Sequence, residues 1–124
     1  MAGTLVVDTL KSGTSSPPAF QNTSGTEIGT LCRAWVNFDG TGTPAIRASF
    51  NVSSITDNGT GDYAANITNA LPNANYCPVA SGKVSGGPVV VAAANTASIC
   101  IVRCFTSTTG AFVDADQCTV AIFR

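Results

Sequence analysis

With no histidine and a single glutamate, Glu27, the chain carries few of the groups that acid–base catalysis uses. Its close carboxylate pairs are Asp57 with Asp62 and Asp114 with Asp116. Each lies in a turn-forming run, where an aspartate caps backbone N–H groups. Ca²⁺ would require roughly six to eight oxygens, and no sequential loop offers a set of carboxylates. The expectation is turn-capping aspartates, no enzyme activity, and no metal or cofactor.

The cysteines are Cys32, Cys77, Cys100, Cys104 and Cys118. An odd count beside a start, Met1–Asp8, that lacks a basic segment and a long apolar run argues against an exported disulfide scaffold. In a reducing compartment they stay thiols, as small buried hydrophobes, with a later disulfide as the alternative. Cys100 and Cys104 are the tempting metal pair. On a strand they lie about 13 Å apart on one face, too far for one tetrahedral zinc.

Trp35 falls between Arg33 and Asn37 on the strand face opposite Ala34, Val36 and Phe38, with Arg47 on the corresponding face of the next run. A Trp among Arg neighbours can stack on a sugar ring or anchor a subunit interface. The interface is the preferred reading. Four Asn-x-Ser/Thr sequons, at Asn22, Asn51, Asn58 and Asn66, are expected to arise by chance and carry no glycans.

These residues need elements to hold them, and the composition says which. Charged residues make up 10% of the 124, well below the ordinary quarter, while Thr, Ser, Asn, Gly and Val dominate. That favours strands and turns. A net charge of −1 supplies no basic patch for nucleic acid. No apolar run reaches the roughly 20 residues of a membrane helix.

Apolar residues alternate at Ala34, Val36 and Phe38, and again at Ile46, Ala48, Phe50 and Val52, across a Gly/Thr-rich turn. The pattern predicts strands at 32–38, 45–56, 62–68, 75–81, 88–93, 98–105 and 117–123. Turns are expected at Asp39–Thr43, Asp57–Gly61, Asn69–Ala74, Gly82–Gly87, Ala92–Thr96 and Thr106–Gly110. Asp57–Gly61 is the strongest hairpin signal, placing Tyr63, Ala65 and Ile67 on one face. The expected fold is all-β: a compact antiparallel β-sandwich or barrel-like head, residues 29–124, with an extended N-terminal arm, residues 1–28.

The arm holds Leu5, Val7 and Leu10 ahead of a Ser/Thr/Pro run. Its apolar residues are too sparse for a core of their own, so it is either disordered or packed on something else, such as a partner chain. Leu5–Leu10 is too apolar for a free tail, and packing is the preferred reading. Strands 98–105 and 117–123 are apolar on both faces, which one small domain cannot cover alone. Trp35, Arg33, Ile101 and Phe123 are therefore the expected subunit-interface residues.

Four segments together look like the receptor-binding end of bacteriophage tail fibres, notably small fibres of phages of aquatic bacteria. They are Arg33–Gly42, the long and specific Ala48–Tyr63, Asn69–Tyr76, and the ending Val120–Arg124. The start, Gly3–Leu10, resembles the start of such proteins. The resemblance implies a homotrimeric virion protein assembled in a host cytoplasm. Leu5, Val7 and Leu10 would attach it to other tail or capsid proteins, and a β-rich tip would meet a host surface glycan. The long shaft of such fibres is missing, so a capsid or tail decoration protein without receptor binding stays open. A secreted adhesin and a glycan-cleaving tailspike are more distant readings.

In a simple meander, loops 39–44, 69–74 and 92–97 share the end away from the arm. Asp39, Thr41, Asn73 and Asn95 are on that basis the expected receptor contacts, with trimerisation repeating a weak site.

Overall fold

The computed structural model describes residues 3–14, 16–83 and 87–124. It divides into two units, Met1–Leu31 and Cys32–Arg124. The first holds a small hairpin of β1 (Phe20–Gln21) and β2 (Glu27–Gly29). Asn22 organises its turn, the Oδ1 accepting the amides of Ser24 and Thr26. Leu5, Val6, Val7 and Leu10 are exposed. The hairpin falls within the segment expected to be an extended arm, and the division between the units lies between Leu31 and Cys32.

The second unit is built from β3 (Cys32–Asp39), β4 (Ala45–Phe50), β5 (Val52–Gly59), β6 (Asp62–Ile67), β7 (Cys77–Lys83), β8 (Pro88–Thr96), β9 (Ile99–Thr106) and β10 (Gln117–Phe123). They form two antiparallel sheets in the orders β4-β3-β10-β7 and β5-β6-β9-β8. No helix occurs among the described residues. The inner faces follow from alternation: Ala34, Val36 and Phe38 from β3 meet Tyr63 and Ala65 from β6. Cys100, Val102 and Cys104 from β9 and Cys118, Val120 and Ile122 from β10 complete the core. The Phe38 and Tyr63 rings meet edge to face at 5.3 Å. The class is a β-sandwich, as the patterning implies.

One expected strand, 45–56, is in fact two. At Asn51 the backbone enters the left-handed region (φ 56°), and the chain passes from the first sheet to the second. Asparagine tolerates that conformation, and its side chain makes it specific. Asn51 Nδ2 donates to the carbonyls of Arg33 (3.0 Å) and Asn69 (3.2 Å), and Oδ1 accepts the Asn69 amide (2.8 Å). The Asn51 carbonyl accepts the Thr68 amide. The expected shared face of Ile46, Ala48, Phe50 and Val52 also fails, because a bulge offsets the β3–β4 ladder. Phe38 pairs with Ile46, but Asn37 pairs with Ala48. Phe50 accordingly points outward, 55% exposed, while Val52 returns to the core.

The corner adds a strand and so changes which loops share an end. Loop 40–44 lies with turn 60–61 and the connection 107–116, tied by the bonds Gly40 N–Ala115 O and Gly61 N–Asp114 Oδ1. Loop 68–76 and the Ala97–Ser98 turn lie at the opposite end, joined by Leu71 N–Ala97 O. The meander expectation for loops 39–44, 69–74 and 92–97 is therefore corrected. The turn expected at Ala92–Thr96 also moves, since β8 runs through Asn95 to Thr96. Half of the turn expected at Gly82–Gly87 falls on residues 84–86, outside the described residues.

At the other lateral edge β7 lies beside β8, so β10-β7-β8-β9 has Greek-key order. Glycine is needed there: a Cβ on Gly82 would sit 2.5 Å from Val90 Cγ2 and 2.7 Å from the Gln117 carbonyl.

Replacing Asn51 separates its two roles. Asn51→Ala loses the side-chain bonds and strains the backbone, and should lower unfolding stability by roughly 2–4 kcal/mol. Asn51→Gly keeps the backbone freedom and should lose less. Urea midpoints at constant slope check the order; equal losses in both would remove the backbone role.

Candidate binding face

The outer face of the first sheet carries a row of exposed large apolar side chains. Register places Phe50, Trp35, Ala121 and Val79 in one row across β4, β3, β10 and β7. Trp35, Phe50 and Val79 are 40%, 55% and 56% exposed. The adjoining row is more polar: Asn37, Thr119 and Ser81. Between the rows runs a shallow groove of about 400 Å³. Thr119 Oγ1 donates to the Ser81 carbonyl at 3.0 Å. Asn37 Oδ1 is buried and has no hydrogen-bond partner, alone among the buried side-chain N and O atoms of the described residues. A buried acceptor left unmet costs about 1–3 kcal/mol, which a donor arriving from outside would recover.

The structure brings some expected interface residues together and separates others. Phe123 lies on the same outer face as Trp35, opposite both Cys32 and Cys77. Arg33 sits at the irregularity between the Ala34–Ile122 and Cys32–Phe123 pairs. Ile101 is on the other sheet's outer face, flanked by Ala64 and Ala93. Arg47 does not flank Trp35. It pairs with Asp39 at 3.0 Å instead.

The expected receptor residues divide likewise. Asp39 and Thr41 are at one end, where Asp39 Oδ1 accepts the amide and hydroxyl of Thr41. These bonds from Thr41, then the Arg47 charge, hold the Asp39 carboxyl below the usual range. Asn73 and Asn95 belong to the opposite end. Asn73 Oδ1 accepts the Asn75 amide, and the Asn95 amide donates to Tyr76 Oη. Within one copy the four residues thus divide between opposite ends.

The aspartates act mainly on backbone and cations. Asp57 Oδ1 caps the Gly59 amide, and Asp62 pairs with Arg103 at 3.1 Å. Asp114 Oδ1 accepts the Gly61 amide (2.8 Å) and the Tyr63 hydroxyl (2.7 Å). The same hydroxyl lies 2.8 Å from the Gly40 carbonyl, so one proton serves two acceptors. This latch joins three connections at one end. Gly61 is required in it: φ is +64°, and a Cβ would meet the Cys104 carbonyl at 2.6 Å.

Sequence reading missed Phe50 and Val79 on the binding face. Val79 was accessible, since it alternates with Pro78 and Ala80. Phe50 was hidden by the bulge, which shifts the alternation by one.

Family models, curated proteins and solved structures give no match to this chain. What the fold defines is an antiparallel β-sandwich with exposed apolar side chains on the outer faces of both sheets, Trp35, Phe50 and Val79 on the first and Val89 and Val91 on the second.

Both tyrosines of the chain are buried, and burial leads the causes raising them. Tyr76 is pushed up to about 12 and Tyr63 further. Unfolded tyrosines ionise near 10.0, so deprotonation favours the unfolded chain above that pH. Their contribution to stability is full below pH 10 and declines above it, that of Tyr76 between about 10 and 12 and that of Tyr63 at higher pH still. Phenolate absorbance should therefore appear together with loss of the strand signal. Smooth tyrosine titration near pH 10 in folded protein would contradict this burial.

Proposed function

We propose that the chain is a non-enzymatic phage virion protein, a small homotrimeric tail fibre that adheres to host surface polysaccharide. The observation that carries this reading is the exposed Trp35–Phe50–Val79–Phe123 face. Large clustered apolar side chains on a sheet's outer face suit contact with another copy. Trp and Arg are enriched at such contacts, and Asn37 Oδ1 would receive its donor there. The resemblance of Arg33–Gly42 and Ala48–Tyr63 to fibre tips supports the virion role. Exposed Leu5, Val7 and Leu10 supply an apolar segment for attachment to a tail or capsid protein.

Polysaccharide would be met at a loop end. Asn73 and Asn95 share one end, and Asp39 and Thr41 the other. Thr and Asn offer neutral hydrogen bonds to hydroxyl-rich chains, and three copies multiply a weak contact. A capsid or tail decoration protein remains the second reading, favoured by the same face: cementing requires apolar contact and no receptor.

Binding to polysaccharide from the infected host separates the two. The wild type should bind, and Trp35→Lys should bind at least about tenfold more weakly through lost avidity. Absence of wild-type binding would overturn the adhesion reading and favour decoration. Unchanged binding by a monomeric Trp35→Lys protein would overturn the avidity argument.

A further inference from the structure

We propose that Cys104 and Cys118 are a built site of oxidative modification, closing to a disulfide that fastens one sheet to the other. Their sulfurs lie 3.3 Å apart, and both residues are fully buried. Cys104 points inward from β9 in the second sheet, and Cys118 inward from β10 in the first. Each residue's ladder neighbour is consistent with this close approach. Cys118 faces Gly82, Cys104 faces Val90, and the bare Gly82 lets Val90 pack against β7. A disulfide bond is about 2.05 Å long, so small side-chain rotations would bring the sulfurs together.

No other pairing has this placement. Cys100 shares a face of β9 with Cys104, but four residues along a strand is about 13 Å. Cys32 and Cys77 are on the first sheet's outer side, each opposite Phe123. The thiols are also unequal. The hydrogen bond between them lowers the Cys104 thiol and raises Cys118. Either sulfur can donate that bond, so the two-step oxidation balances equally with the roles exchanged.

The oxidant is a peroxide. The Cys104 thiolate attacks one oxygen of hydrogen peroxide, the O–O bond breaks, and hydroxide leaves, giving a sulfenic acid. Cys118 then attacks that sulfur. The S–O bond breaks, the S–S bond forms, and the Cys118 proton leaves with the hydroxyl as water. Two thiols are oxidised and one peroxide is reduced, its two oxygens ending as water and hydroxide, which takes up the proton lost when the thiolate formed. Because both sulfurs are buried, reaction proceeds through brief local opening and is slow relative to exposed Cys77.

The sequence makes the test direct. Trypsin cuts after Arg103, so residues 104–124 form one peptide holding both cysteines, while Cys32, Cys77 and Cys100 fall in three others. The full chain is incubated with hydrogen peroxide, denatured, alkylated and digested. The expected product is the 104–124 peptide unalkylated and about 2 Da lighter than its dithiol form. Melting should rise by about 5 °C or more on oxidation, and not in the Cys104→Ser/Cys118→Ser protein. Alkylation of both sulfurs, oxidation of either beyond the sulfenic stage, or linkage of either to another cysteine would overturn the proposal. The peptide measurement needs only wild type, so misfolding of the variant does not blunt it.

Discussion

The body depends on one residue leaving a sheet. Asn51 takes a backbone conformation that a bulky side chain would resist, and its amide ties β3, the corner and the 68–69 segment together. Without that corner, β4 would run on within the first sheet and β5 would not start the second. Every later strand direction, and hence every loop's end, follows from it. The Tyr63–Asp114 latch performs the complementary task at the far end, where it joins three connections that are distant in sequence.

Between these two fastenings the core is made of small and medium side chains. Alanine, valine and cysteine fill most inner positions, and Phe38 and Tyr63 provide the bulk. Among the described residues no charged side chain is buried. Specificity therefore rests on backbone-directed bonds from asparagine, aspartate and tyrosine, in keeping with a chain only 10% charged. The outer face of the first sheet departs from that economy. There Trp35, Phe50 and Val79 stand in one row, beside an amide oxygen with no donor.

Much of the sandwich was legible because alternation is a local property. Ala34, Val36 and Phe38, and likewise Tyr63, Ala65 and Ile67, share faces as their spacing implies, and both are buried. Two devices broke the reading. A bulge beside Phe38 shifts β4 by one residue, and a left-handed asparagine splits an unbroken alternating run. Neither changes composition, so periodicity could not reveal them. The end-sharing of loops then failed through strand parity alone. Asp39 and Thr41 were separated from Asn73 and Asn95, and Ile101 was separated from Trp35 by the thickness of the sandwich. The Tyr63–Asp114 contact spans 51 residues and has no local signature.

The central claim is that one copy leaves the Trp35 face incomplete and assembles through it. The native mass of the full chain across a dilution series tests this most directly, read with the fluorescence of its single tryptophan. The account predicts three times the 12.5 kDa chain mass, with Trp35 emission moving to longer wavelength as the assembly dissociates. A 12.5 kDa monomer at every concentration, folded and with unchanging Trp35 emission, would contradict it.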